Sequence, residues 1–168
     1  FISFDIVKSL TNEFTHESAN TRKLLARIPL EKKDWTPHKK SMTLQRLATH
    51  VADIPNWVSL VIEQEELDFA TTPYKSPKAD TVEELLAIHD NAVAAALKSI
   101  AAAQVEALKN KNWTMRQGEH VILSMPKIAV LRSLAFNHLY HHRGQLSVYL
   151  RLLDIPLPAL YGPSADEQ

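Results

Sequence analysis

Apolar residues recur every three or four positions over four stretches of the chain, and polar, proline-bearing segments separate them. That spacing fits helices that each bury one stripe. The first stretch predicts a helix from about Ser3 to Ile28, with Ile6, Leu10, Phe14, Leu24 and Ile28 on its stripe and Pro29 at its end. The polar segment LEKKDWTPHKK follows, with Trp35 expected to tuck back onto the core. The second helix is predicted from Ser41 or Thr43 to about Glu66, striped by Leu44, Leu47, Val51, Ile54, Val58 and Val61. Pro55 predicts a kink in it, because its ring removes a backbone donor and crowds the preceding turn.

After the loop FATTPYKSPKAD, a third, alanine-rich helix is predicted to open at Asp80, with Glu83 as its capping partner, and to run to about Lys109. WTMRQGEHVILS breaks the pattern and predicts an irregular or hairpin-like connection around Gly118. The last helix is predicted from Pro126 to about Leu153, and the proline-rich tail IPLPALYGPSADEQ follows it. Four long helices predict an all-α fold, a four-helix bundle whose long connections allow a crossover. With no repeat and no low-complexity linker, residues 1–168 are expected to form a single domain.

The balance of 19 basic and 19 acidic residues, with no basic stripe, argues against nucleic acid or an anionic membrane as partner. The start FISFDIVKSL carries an acid and no long apolar run, so no signal peptide is expected there. The most apolar stretch, AVAAALKSIAAAQV, is expected to be too short and too weakly apolar to cross a bilayer. The absence of cysteine excludes disulfides, thiolate nucleophiles and Cys-ligated zinc, and it fits a soluble protein of the reducing cytoplasm.

Candidate chemistry concentrates in NHLYHHRGQL. The stripe of the last helix reads Ile128, Leu131, Ala135, His138, His142, Leu146, Tyr149 and Leu153, so two histidines occupy core-facing positions four apart. Buried imidazoles need partners, and this spacing suits a shared metal or core hydrogen bonds. His50, beside the stripe of the second helix, is the best candidate for a third ligand; a bond to a backbone carbonyl is the alternative. His16, His38 and His89 read as surface positions, while His120, in the irregular connection, is a weaker candidate to approach the site. Glu13-Phe-Thr-His16 is a lone Glu-x-x-His pair, too little for a di-iron centre. Neither a phosphate-binding glycine loop nor a serine-nucleophile elbow is present.

The run His138-Leu-Tyr-His-His142-Arg-Gly-Gln, the segment Thr43-Leu-Gln-Arg-Leu-Ala-Thr-His50 and the ending Tyr161-Gly-Pro-Ser-Ala-Asp-Glu167 resemble the DinB superfamily. Trp35-Thr-Pro and the stretch from Asp53 to Trp57 extend the resemblance over nearly the whole chain. It implies a four-helix bundle with a long crossover, usually a homodimer. It also implies one divalent metal held by three histidines, here His50, His138 and His142. Some members transfer low-molecular-weight thiols such as bacillithiol, mycothiol or glutathione, and others have been called hydrolases. The chain departs from the family at Asp154, where relatives often carry glycine; Asp tolerates the left-handed conformation better than most residues.

Three neutral imidazoles leave Zn²⁺, Ni²⁺ or Fe²⁺ open positions for a small-molecule substrate. Zinc lowers the pKa of a bound water to about 7, and a coordinated thiol loses its proton. With no cysteine in the chain, such a sulfur comes from a small-molecule cofactor. Asp53 and Gln145, each three residues after a histidine, are the candidate supporting or catalytic groups, with a solvated carboxylate as the plain alternative for Asp53. Trp57 and His141 join His120 as candidate pocket-lining residues. Arg143 is expected in a structural ion pair. The rival to an enzyme is a non-catalytic scaffold whose ion braces two helices.

Overall fold

The computed structural model describes residues 5–167. Helix α1 spans Ile6–Leu25, and Asp5 caps it by accepting from the Lys8 amide at 3.0 Å. The expected start at Ser3 lies outside the described residues. A 3-10 turn, Leu30–Lys32, follows Pro29. Trp35 does fold back: its ring meets Tyr149 edge-on at 5.5 Å between centroids.

The second predicted helix forms as two. Helix α2 spans Leu44–Asp53 and α3 spans Asn56–Glu63, with Ile54 and Pro55 at the joint. Pro55 has no amide hydrogen to continue the α2 ladder, so the chain restarts there. All six stripe residues, Leu44, Leu47, Val51, Ile54, Val58 and Val61, are buried.

Helix α4 spans Val82–Ala102. Its cap is Thr81, one residue later than expected: Thr81 accepts from the Glu84 amide at 3.2 Å, and Glu84 reaches back to the Asp80 amide at 2.8 Å. The helix ends when Ala103 turns extended, and a separate helix α5, Val105–Asn110, follows. That break lets Leu108 turn into the apolar cluster around Trp113. With 21 residues, α4 is long and apolar enough by composition to cross a membrane. Length and composition alone carry that statement, and the core helix of a soluble protein meets the same test. Here α4 packs against α1, α2 and α3.

The all-α expectation is corrected by a three-stranded sheet in the order β1 (Glu66–Asp68), β2 (Asn112–Gln117), β3 (His120–Pro126). Strands β2 and β3 are the antiparallel hairpin anticipated around Gly118, whose φ of +57° glycine adopts without strain. Strand β1 pairs parallel to β2, with Leu67 opposite Met115. Two partners 48 positions apart leave no local signature, which is why this strand read as helix and loop.

The last rod combines α6 (Lys127–Val130), a π-helical stretch (Leu131–Asn137) and α7 (His138–Leu152). It ends in a Schellman motif: the Ile155 amide donates to Leu150 O at 3.0 Å and the Asp154 amide to Arg151 O at 3.1 Å. Asp154 holds the left-handed position at φ +57°. The fold is therefore mostly helical, with two buried apolar clusters among the described residues. The clusters change over between Phe136 and Leu139 on the last rod, and between Ile54 and Val58 at the Pro55 joint. The histidines lie beside that changeover.

Candidate metal centre

Helices α2 and α7 pack against each other and carry the three imidazoles. His50 sits in the last turn of α2, among the buried Leu47, Val51 and Ala52. His138 and His142 start α7 four residues apart, so both project to one side. Each of the three is half-buried. One nitrogen from each lies within 4.8 Å of the others. No fourth His, Cys, Asp or Glu joins this group among the described residues.

The π-helical stretch contributes to the geometry. The backbone N–H of His138 goes to Ala135 O, which leaves the Leu134 carbonyl open to the His138 ring, at 3.2 Å from Nδ1. A carbonyl only accepts, so Nδ1 carries the proton and Nε2 turns inward as a bare lone pair. His142 is set in the same way, with its Nδ1 2.7 Å from Gln145 Oε1. The inward Nε2 atoms of His50 and His138 are 3.1 Å apart. Such a pair needs a shared proton or a cation. Two imidazoles at about 2.0–2.1 Å from a tetrahedral zinc lie about 3.3 Å apart, so the donor set fits a divalent ion.

Electrostatics keeps the ring nitrogens available. Burial pushes the His50 pKa down to about 4, and the nearby His142 and His138 rings push the same way. Burial also lowers His138, helped by His142 and opposed by the Leu134 carbonyl. It lowers His142 too, against the opposing bond to Gln145. All three are neutral near pH 7, as metal ligands must be.

The other expected residues fall into place unevenly. Gln145 orients His142. Asp53 is buried, not solvated: it accepts from Asn56 Nδ2 at 2.8 Å and from the Tyr74 hydroxyl at 2.5 Å. Trp57 is half-buried beside Asp53 and lines a cleft of about 300 Å³ with Leu60, Leu67 and Tyr74. His141 is exposed on α7, its ring 4.8 Å from that of His142. His120 is exposed at the start of β3 and stays outside the histidine group, because the hairpin holds it opposite Gln117. His16 and His38 are exposed. His89 is the exception among the expected surface histidines: it is 1% exposed on α4, with Nδ1 3.2 Å from Asp90. Arg143 forms the expected ion pair, with Glu17. Sequence reasoning missed Tyr74, which reaches Asp53 from a loop 21 positions away, and the groove of Met42, Arg46, Tyr74 and Ser76 beside His50. No sequence signal marks either.

Fold and site together define a mostly helical protein whose two packed helices assemble a three-histidine group able to hold a metal ion. The chain belongs to the DinB family, whose model matches residues 4–168. Its fold is similar to that of a DinB-like protein from Bacillus subtilis, with a TM-score of 0.71, 18% identity, and 92% of this chain and 99% of that chain covered. It is also similar to a DinB-like protein from Bacillus cereus ATCC 10987, with a TM-score of 0.68, 20% identity, and 92% and 97% covered. At these identities the likeness establishes the fold. No curated protein matches the sequence.

Proposed function

We propose that this protein is a divalent-metal-dependent enzyme that transfers a low-molecular-weight thiol or hydrolyses a small substrate. His50, His138 and His142 would hold one zinc, nickel or iron ion. The observation that carries the reading is a three-nitrogen donor set that no fourth His, Cys, Asp or Glu joins among the described residues, beside a groove of about 340 Å³ that His50 itself lines. A structural site normally closes with four protein ligands, whereas three leave a position for chemistry. An ion bound there supplies Lewis acidity toward a water or a thiol.

The chain's own residues do the rest. Leu134 O and Gln145 hold the imidazoles in the tautomer that presents Nε2. Arg46 and Tyr74 flank the groove and offer polar contacts to a substrate. The long helices read as a four-helix bundle with a crossover through the sheet, assembling as a homodimer. The lack of cysteine supports a cytoplasmic setting.

The test is chelation of the loaded protein, followed by thiol-transfer and hydrolysis assays and by melting. Turnover that is lost on chelation and returns with the ion, with little change in Tm, supports the enzyme. A large Tm loss with no turnover before or after supports the rival reading of an ion that only braces α2 against α7.

A further inference from the structure

Among the described residues, three carboxylates are buried: Glu17, Asp53 and Asp68. Glu17 meets Arg143 at 2.6 Å and Asp68 meets Arg116 at 2.8 Å. Asp53, 9% exposed, meets only the neutral donors Asn56 and Tyr74, one on each oxygen. No ion pair reaches it among the described residues, although a buried carboxylate is costly without a cation. A carboxylate has about four lone-pair sites, so two hydrogen bonds leave it free to accept more.

Asp53 opens onto the 300 Å³ cleft, a volume within the range of small-ligand pockets. Leu60 and Leu67 make part of its wall apolar. The rings of Trp57 and Tyr74 stand 6.4 Å apart between centroids and tilt 33° to one another. Lys75 also lines the cleft, but it is exposed and forms no ion pair with Asp53. A lone carboxylate beside two aromatic faces is the arrangement that recognises an organic cation.

We propose that this cleft binds the ammonium group of a small molecule with an apolar body. Asp53 supplies the opposite charge, and Trp57 and Tyr74 supply the aromatic faces. Tyr74 also lines the groove at His50, so the bound molecule extends toward the histidine group. The inference deepens the proposed function by naming the substrate's recognised group, and it rests on that reading only for the molecule's being a substrate.

The test compares phenethylammonium and benzyltrimethylammonium with the neutral 2-phenylethanol, titrated into metal-loaded and metal-free protein and followed by tryptophan fluorescence and calorimetry. Both cations should bind at least tenfold more tightly than the alcohol in both forms. Asp53→Asn should remove that preference, with melting temperature and metal content unchanged. Trp57→Leu, which leaves the carboxylate in place, should weaken benzyltrimethylammonium severalfold, and it serves if Asp53→Asn does not fold. Equal binding of cation and alcohol, no binding of either, or a preference that survives Asp53→Asn overturns the proposal. So does a preference seen only without metal, since the ion would then be what balances Asp53. Elemental analysis separates the two readings: a missing ion with the preference intact defeats only the metal centre, and a bound ion without the preference defeats only the cleft.

Discussion

Replacing Glu17 by alanine strands a buried guanidinium. The Arg143 side chain is 4% exposed and that of Glu17 is 11% exposed. Arg143 Nη1 donates to Glu17 O and to Thr21 Oγ1, each at 3.1 Å, and Nη2 donates to Glu17 Oε2 at 2.6 Å. The Tyr161 hydroxyl joins the same carboxylate at 2.6 Å and fastens the tail to α1. Removing one partner of a buried pair costs about 3–5 kcal/mol, because the other charge stays desolvated and unpaired. In a domain of this size each kcal/mol moves Tm by about 2–4 °C, so Glu17→Ala should melt about 10 °C lower. The double variant Glu17→Leu, Arg143→Met should regain most of that loss, since an apolar pair of similar volume avoids the desolvation cost. Thermal melts of the two singles and the double give the coupling directly. A Glu17→Ala melt within about 2 °C of the parent would mean that water reaches Arg143 and that the pair is not desolvated.

Other consequences are open to measurement. Gln145→Ala should weaken metal affinity about 10–100-fold with the fold intact, because His142 loses the acceptor that sets its tautomer; competition with a coloured chelator reads this. For the metal-free protein, the folded His50 pKa of about 4 lies below the ordinary value of 6.5. The unfolded chain therefore binds more protons between these values, and stability should fall as pH drops from 6.5 toward 4. His50→Gln should flatten that part of the pH profile, and an unchanged slope would count against the burial of the ring. At Asp154, where φ is +57°, Asp154→Gly should leave Tm unchanged or raise it, while Asp154→Val should cost about 1–2 kcal/mol in denaturant melts.

Much of this was legible in sequence because it repeats locally. The stripe from Leu44 to Val61 is buried throughout, and the four-residue step from His138 to His142 places two donors on one helix side. The Asp154 cap could be read from the tolerance of aspartate for left-handed backbone. The Thr81-x-x-Glu84 box is also in the sequence, one position after the competing Asp80-x-x-Glu83 pair. What stayed hidden depends on distant partners or on backbone detail. Strand β1 exists only because β2 lies beside it, and the burial of Asp53 depends partly on Tyr74 crossing from a loop. His89 sits among polar neighbours in sequence, yet α4 turns it inward. The π-helical stretch that opens Leu134 O to His138 has no recognised local code.

The most direct measurement is the metal content of protein purified without chelator or metal-affinity resin, beside the His138→Ala, His142→Ala double variant. A three-histidine metal centre predicts about one equivalent of zinc, nickel or iron in the parent, and its loss in a variant that still folds. No ion in either protein, even after reconstitution, would contradict it and leave the three imidazoles as hydrogen-bonding partners between α2 and α7.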